Sequence, residues 1–153
     1  MKNLFFFILL IFTGMVAAQD FSAYRKLIAK AKNSETATKE YLSKAEKDFK
    51  TTQNPVFQSY IGIGNFFMAK HAFNPLRKIS YFEKGKKNLE DAIAKDPKNL
   101  ETRFLRLVSQ ENMPQVLGYH KNIAADKSFV LQEYQNSKDA ELVTLIKKHF
   151  NVK

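Results

Sequence analysis

The chain has 153 residues, a formal net charge of +10 and no cysteine. Within this sequence, disulfides, iron–sulfur clusters, thiolate zinc sites and cysteine nucleophiles are excluded, and so is a lipid anchor on an N-terminal cysteine. The 25 basic residues are 21 lysines and 4 arginines, a balance that favours solubility and weak attraction to polyanions over base readout, where arginine dominates.

The chain opens with the three parts of a secretory leader. Lys2 supplies a positive charge, Leu4 to Val16 is an apolar run of thirteen residues broken by Thr13 and Gly14, and Val16-Ala17-Ala18 supplies a small-residue cleavage site. The expectation is a signal peptide over residues 1–18, cut between Ala18 and Gln19. The run falls short of the roughly 20 apolar residues a spanning helix needs. No later segment is long and apolar enough to span. A product exported to the periplasm or secreted, with one domain over residues 19–153, is therefore expected. Export also argues against a nucleic-acid partner.

From residue 19 on, the pattern is helical, with no run of alternating β-branched residues. Helix one is expected over about 21–32 with Asp20 as its cap, and helix two over about 35–51, capped by Ser34. Asn54-Pro55 and Asn74-Pro75 open helices three and four. Each places a capping side chain before a proline at the first helical position, where its missing N–H costs nothing. Helix three should end near Phe73 and helix four before Asp96-Pro97. Helix five covers about 100–111, capped by Asn99 and stopped by Pro114, and a short turn covers 115–120. Helix six covers about 123–135, capped by Asn122. Helix seven covers about 138–150, capped by Ser137, with Asp139 and Glu141 in its first turn suiting the dipole.

A period of 3.6 assigns the faces. Ile79, Phe82, Gly85, Leu89, Ala92 and Ile93 share one side of helix four. On its other side Glu83–Lys87 and Lys87–Asp91 are spaced for pairing. Leu142, Leu145, Ile146 and Phe150 share one side of helix seven. Helix three carries apolar residues nearly all round, which places it in the middle of the fold.

Tyr60-x-x-Ile63-Gly64-x-x-Phe67 resembles the first helix of a tetratricopeptide repeat. Gly85-x-x-x-Leu89-x-x-Ala92, followed by Pro97, resembles the second helix and its stop. The resemblance covers about forty residues. It departs from the family in a longer stretch between Phe67 and Gly85, and in Arg103 and Arg106 where the family has bulky apolar residues. It implies an all-α, right-handed stack of antiparallel helical hairpins, in which a glycine on each helix lets two backbones approach. The stretch from Glu101 to Tyr119, with Asp126-Lys127, is similar to small exported helical proteins common in the Bacteroidota. That resemblance implies a compartment and a fold, and no activity.

Candidate sites are few. His71, His120 and His149 lack metal-ligand spacing, and no cofactor motif, phosphate loop or paired catalytic carboxylate is discernible, so neither a metal nor a cofactor is expected. Arg103 and Arg106 have the chemistry of a carboxylate clamp. The preferred reading is an internal ion pair with Glu101, Glu111 or Asp126 that fixes helix packing. Arg103 falls at the margin of the core side of helix five and Arg106 nearly opposite it. Glu111 falls on the apolar side and needs a partner. Tyr119 lies on an irregular segment of the kind that carries binding residues, or else caps the core through its hydroxyl. As a contact surface, the residues chosen are Arg103, Arg106, Tyr119 and Asp126. Lys70, Arg77, Lys78, Lys84, Lys86 and Lys87, with Glu83 among them, form a basic cluster that reads as a solvated lysine face or else as a contact with an anionic envelope surface. The expected function is an exported, non-enzymatic binding module with a protein or peptide partner. An electrostatic binder of envelope polyanions and a small exported enzyme are the alternatives.

Overall fold

A computed structural model of the chain describes residues 21–152. The expected leader, its cleavage point at Ala18–Gln19 and the expected Asp20 cap lie outside the described residues. Seven α-helices make up the fold, with no strand among the described residues: α1 (Ser22–Ala31), α2 (Glu35–Thr52), α3 (Pro55–His71), α4 (Pro75–Lys95), α5 (Leu100–Glu111), α6 (Ile123–Glu133) and α7 (Ala140–Phe150). Short 3-10 turns cover Gln115–Leu117 and Tyr134–Asn136.

The caps set the boundaries. Ser34 Oγ accepts from Ala37 N, Asn54 Oδ1 from Val56 N, Asn74 Oδ1 from Leu76 N and Arg77 N, and Asn99 Oδ1 from Thr102 N. Each satisfies N–H groups that a helix start leaves without partners. Three boundaries differ from expectation. Helix three stops at His71, since Ala72 is already extended. Asn122 makes no side-chain cap; Gln110 Nε2 donates to its Oδ1 at 3.4 Å instead. Helix seven begins at Ala140, and Asp139 is its cap, accepting from Leu142 N at 3.0 Å. Ser137 Oγ accepts instead from Asp139 N.

Helix α3 is central, as its all-round apolar pattern predicts. Twelve of its seventeen residues are buried, and it packs against α1, α2, α4 and α5. Its most extensive contact is with α4. A Cβ on Gly62 would lie 2.9 Å from the Gly85 carbonyl oxygen, and a Cβ on Gly85 2.9 Å from that of Gly62. The glycine that meets Gly85 is thus Gly62, rather than the Gly64 of the repeat-like pattern. Gly64 faces α2, where a Cβ would lie 2.6 Å from Leu42.

On α4, Phe82, Gly85, Leu89, Ala92 and Ile93 are buried as expected, but Ile79 is 54% exposed. On α7, Leu142 and Ile146 are buried and Leu145 is exposed. Lys87 pairs with Asp91 at 2.7 Å, while Glu83 lies near Lys86 rather than Lys87. The N-terminal core is aromatic: Tyr24 stacks on Tyr60 with ring centroids 4.6 Å apart, and Tyr41 meets both edge-on. Among the described residues, no helix is long and apolar enough to cross a membrane.

Candidate functional site

The four residues chosen from sequence as a contact surface come together, and they do so in the interior. Arg106 Nε and Nη2 donate to the two oxygens of Asp126 at 2.6 and 2.9 Å. Arg106 Nη1 donates to Glu90 Oε2 at 2.8 Å, and the Tyr119 hydroxyl to Glu90 Oε1 at 2.6 Å. Arg103 Nε lies 2.6 Å from Asp126 Oδ1, an ion pair without hydrogen-bond alignment. Its guanidinium stacks over Phe129 at 4.7 Å. Asp126 is fully buried, and Arg106 and Tyr119 are nearly so.

This cluster joins α4, α5, α6 and the segment before α6. Arg106 lies nearly opposite the core side of an isolated helix five, yet α4 and α6 supply carboxylates on that side and bury it. Burial alone would lower the Arg106 pKa, but the bonds and charges of Asp126 and Glu90 outweigh it and raise it. Burial first, then the bond to Glu90, raises the Tyr119 phenol well above its ordinary range. Two guanidiniums face two carboxylates, so the charges compensate internally. The Arg106 donors are committed to Asp126 and Glu90, which leaves no free fork to clamp an external anion. The ion pair with Asp126 weighed in the sequence is present. Pairs of these arginines with Glu101 or Glu111 are not: Glu101 meets Arg25, and Glu111 lies 2.8 Å from His149 Nε2 at the surface.

A second cluster escaped sequence reasoning. Arg25 on α1 donates to Glu101 on α5, and to Asp139 and Glu141 at the start of α7. The Tyr60 hydroxyl donates to the same Glu101 carboxylate. Asp139 thereby caps α7 and binds Arg25 at once. The missed signal is the arginine itself. In a chain that uses lysine five times as often, an arginine marks a place where a planar fork is needed. Three of the four arginines sit in these two clusters.

The histidines serve the backbone or a neighbouring side chain. His71 Nε2 contacts Ala31 O and His120 Nε2 contacts Met113 O. Among the described residues no group of three histidines or carboxylates is placed to hold a metal ion.

A groove of about 690 Å³ opens on the surface. Ile28 of α1, Ile63, Phe66 and Phe67 of α3, and Leu105 and Val108 of α5 line it. Ile79 and Phe82 of α4, and Met113, Pro114 and Leu117 of the segment after α5, complete the lining. The charged residues lining it are Lys32, Lys70 and Lys78, with no carboxylate. Lys70 Nζ donates to Lys32 O at 2.8 Å, closing the end of α1. The chosen contact residues do not line this groove.

No protein-family model matches the chain, and no curated protein or solved structure matches it either. The tetratricopeptide resemblance therefore rests on the residues of α3 and α4 themselves.

Proposed function

We propose that the chain is an exported, non-enzymatic binding module, a right-handed tetratricopeptide-like stack of helical hairpins, whose groove holds an apolar segment of a protein partner with an acidic group at the Lys32–Lys78 edge. The observation that carries this is the groove's lining: aromatic and aliphatic side chains from α1, α3, α4, α5 and the segment after α5, bordered by three lysines and no carboxylate. Its volume falls within the roughly 300–1,000 Å³ of ligand sites. Repeat arrays use a concave face of this kind for extended segments. An apolar segment gains by leaving water there, and a nearby carboxylate meets uncompensated positive charge. The lysines supply charge without a carboxylate or histidine beside them in the groove to exchange protons, which favours binding over catalysis.

The test is selection from a library of short peptides with free C-terminal carboxylates, against the full chain. Selected peptides should combine large apolar residues with Asp, Glu or the terminal carboxylate. Leu117→Asp and Lys32→Glu change exposed groove positions and should each weaken binding at least about tenfold, the scale of one buried leucine or one charged contact. Selection of basic peptides, or binding indifferent to both substitutions, contradicts the proposal.

A further inference from the structure

The turn between α3 and α4 presents apolar side chains to water without cover. Phe73 is 99% exposed and Leu76 77% exposed. Asn74 caps α4 and Pro75 opens it, so this conformation is locally fixed. Both side chains therefore stand out from a rigid turn. Scattered exposed leucines are ordinary, but a fully exposed phenylalanine at a turn needs a partner or a reason.

Charge surrounds the same turn. No acidic residue occurs between Ala69 and Phe82, while Lys70, Arg77 and Lys78 do. The basic cluster of the sequence divides here. Lys86 lies near Glu83 and Lys87 pairs with Asp91. Arg77 donates to the Tyr81 hydroxyl, and among the described residues Lys78 makes no ion pair with a carboxylate. Among the described residues, Glu35 on α2 is a carboxylate near the turn from another element; it is held by Lys39 and feels His71 and Arg77 more weakly.

We propose that this turn is a docking tip for an anionic lipid bilayer. Phe73 and Leu76 enter the interface, and Lys70, Arg77 and Lys78 lie among the headgroup phosphates. Apolar insertion and basic attraction are the two terms that hold peripheral proteins on such surfaces, and this turn carries both within nine residues. A purely ionic partner would use the basic residues but leave Phe73 and Leu76 in water, whereas a bilayer takes up apolar tip and cations together. The proposal stands apart from the peptide-binding reading. Lys70 and Lys78 border both surfaces, whereas Phe73, Leu76 and Arg77 belong to the tip alone.

The test uses the full chain carrying Phe73→Trp, which becomes the sole tryptophan and reports on the tip whatever else touches the membrane. Its emission should shift to the blue on adding phosphatidylglycerol-containing vesicles at low salt, and much less with pure phosphatidylcholine. Leu76→Ser should weaken the effect about tenfold, and Arg77→Ser/Lys78→Ser by about as much or more. All these positions are exposed, and circular dichroism confirms the fold. No shift with anionic vesicles, or a shift indifferent to Arg77 and Lys78, overturns the proposal. So does emission already blue without vesicles, which would mean that another copy or another part of the chain covers Phe73. Leu117→Asp should leave the shift intact, so failure of the tip and failure of the groove are read separately.

Discussion

Arg25 and Asp139 lie 114 positions apart in the chain, yet their side chains share two hydrogen bonds, of 3.1 and 2.6 Å. Through them the first helix reaches the start of the last. Asp139 also accepts from Leu142 N, so one carboxylate both caps α7 and ties it to α1. Glu101 holds the other side of the guanidinium and brings in α5 and, through Tyr60, α3. Arg25 thus acts as a clasp on helices that local sequence leaves far apart.

Substitutions at Asp139 separate its two roles. Asparagine caps a helix as well as aspartate does but carries no charge, so Asp139→Asn loses only the pair with Arg25. Asp139→Ala loses the cap as well and should be less stable than Asp139→Asn by about 1 kcal/mol. Urea unfolding of the two variants at neutral pH measures the difference. Equal stabilities would contradict the double role.

The same residue contributes a pH dependence of known sign. The hydrogen bond from Arg25 holds the Asp139 carboxyl below its ordinary range, burial opposing in part. Asp48 is likewise lowered by hydrogen bonds from Lys44 and Tyr24. A folded-state pKa below the unfolded one means that protons bind the unfolded chain more readily. The stabilisation is therefore complete above about pH 4, the ordinary aspartate value, and is lost as pH falls through the lower folded values. Unfolding midpoints in urea between pH 7 and pH 2 should show this decline, and Asp139→Asn should flatten it.

Asp126 is the keystone of the other cluster. Removing it leaves Arg106 buried with Glu90 as its only carboxylate, and takes from Arg103 its ion-pair partner. Breaking a buried pair from one side costs about 3–5 kcal/mol, so Asp126→Ala should be destabilised on that scale by urea unfolding. Arg103 is less buried and should cost less when truncated. Tyr119→Phe removes one bond to a charged acceptor and should cost about 1.5–3 kcal/mol. Because none of these side chains lines the groove, peptide binding per folded molecule should survive each change.

Gly85→Ala probes the α3–α4 approach. The added methyl would lie 2.6 Å from Phe66 and 2.9 Å from the Gly62 carbonyl oxygen. The phenyl ring can turn aside, but the backbone oxygen cannot move without separating the helices. A loss of about 1–3 kcal/mol is expected. Gly118→Ala meets nothing within 4 Å, and its positive φ alone sets the cost at about 1–2 kcal/mol.

Most of the architecture was legible because it is written locally. Asn54-Pro55, Asn74-Pro75 and Asn99 fix helix starts through contacts within three residues. The all-round apolar pattern of α3 needed only its own composition to place it centrally. What was not legible depends on partners distant in sequence. Ser137 and Asp139 are both good caps, and Arg25 favours the second. Gly62 and Gly64 lie on different faces of α3, and only the positions of α4 and α2 decide which neighbour each meets. Arg106 points away from the apolar side of its own helix, and Glu90 and Asp126 convert that direction into interior. The groove was hidden for the same reason: its lining comes from four helices and a loop, and no single segment announces it. Ile79 shares the periodic core face of α4, yet it lies at the groove and is exposed.

If peptide contact is made in the groove while the arginine–carboxylate clusters hold the fold, the two regions respond differently to a bound peptide. The most direct measurement is a methyl NMR titration of the full chain with an acidic, apolar peptide from the selection. Shifts should concentrate on the groove-lining Ile63, Ile79, Leu105, Val108 and Leu117, with the methyl groups of α7 unmoved. Shifts centred instead on Val130, Leu142 and Ile146, beside α6 and α7, would contradict it.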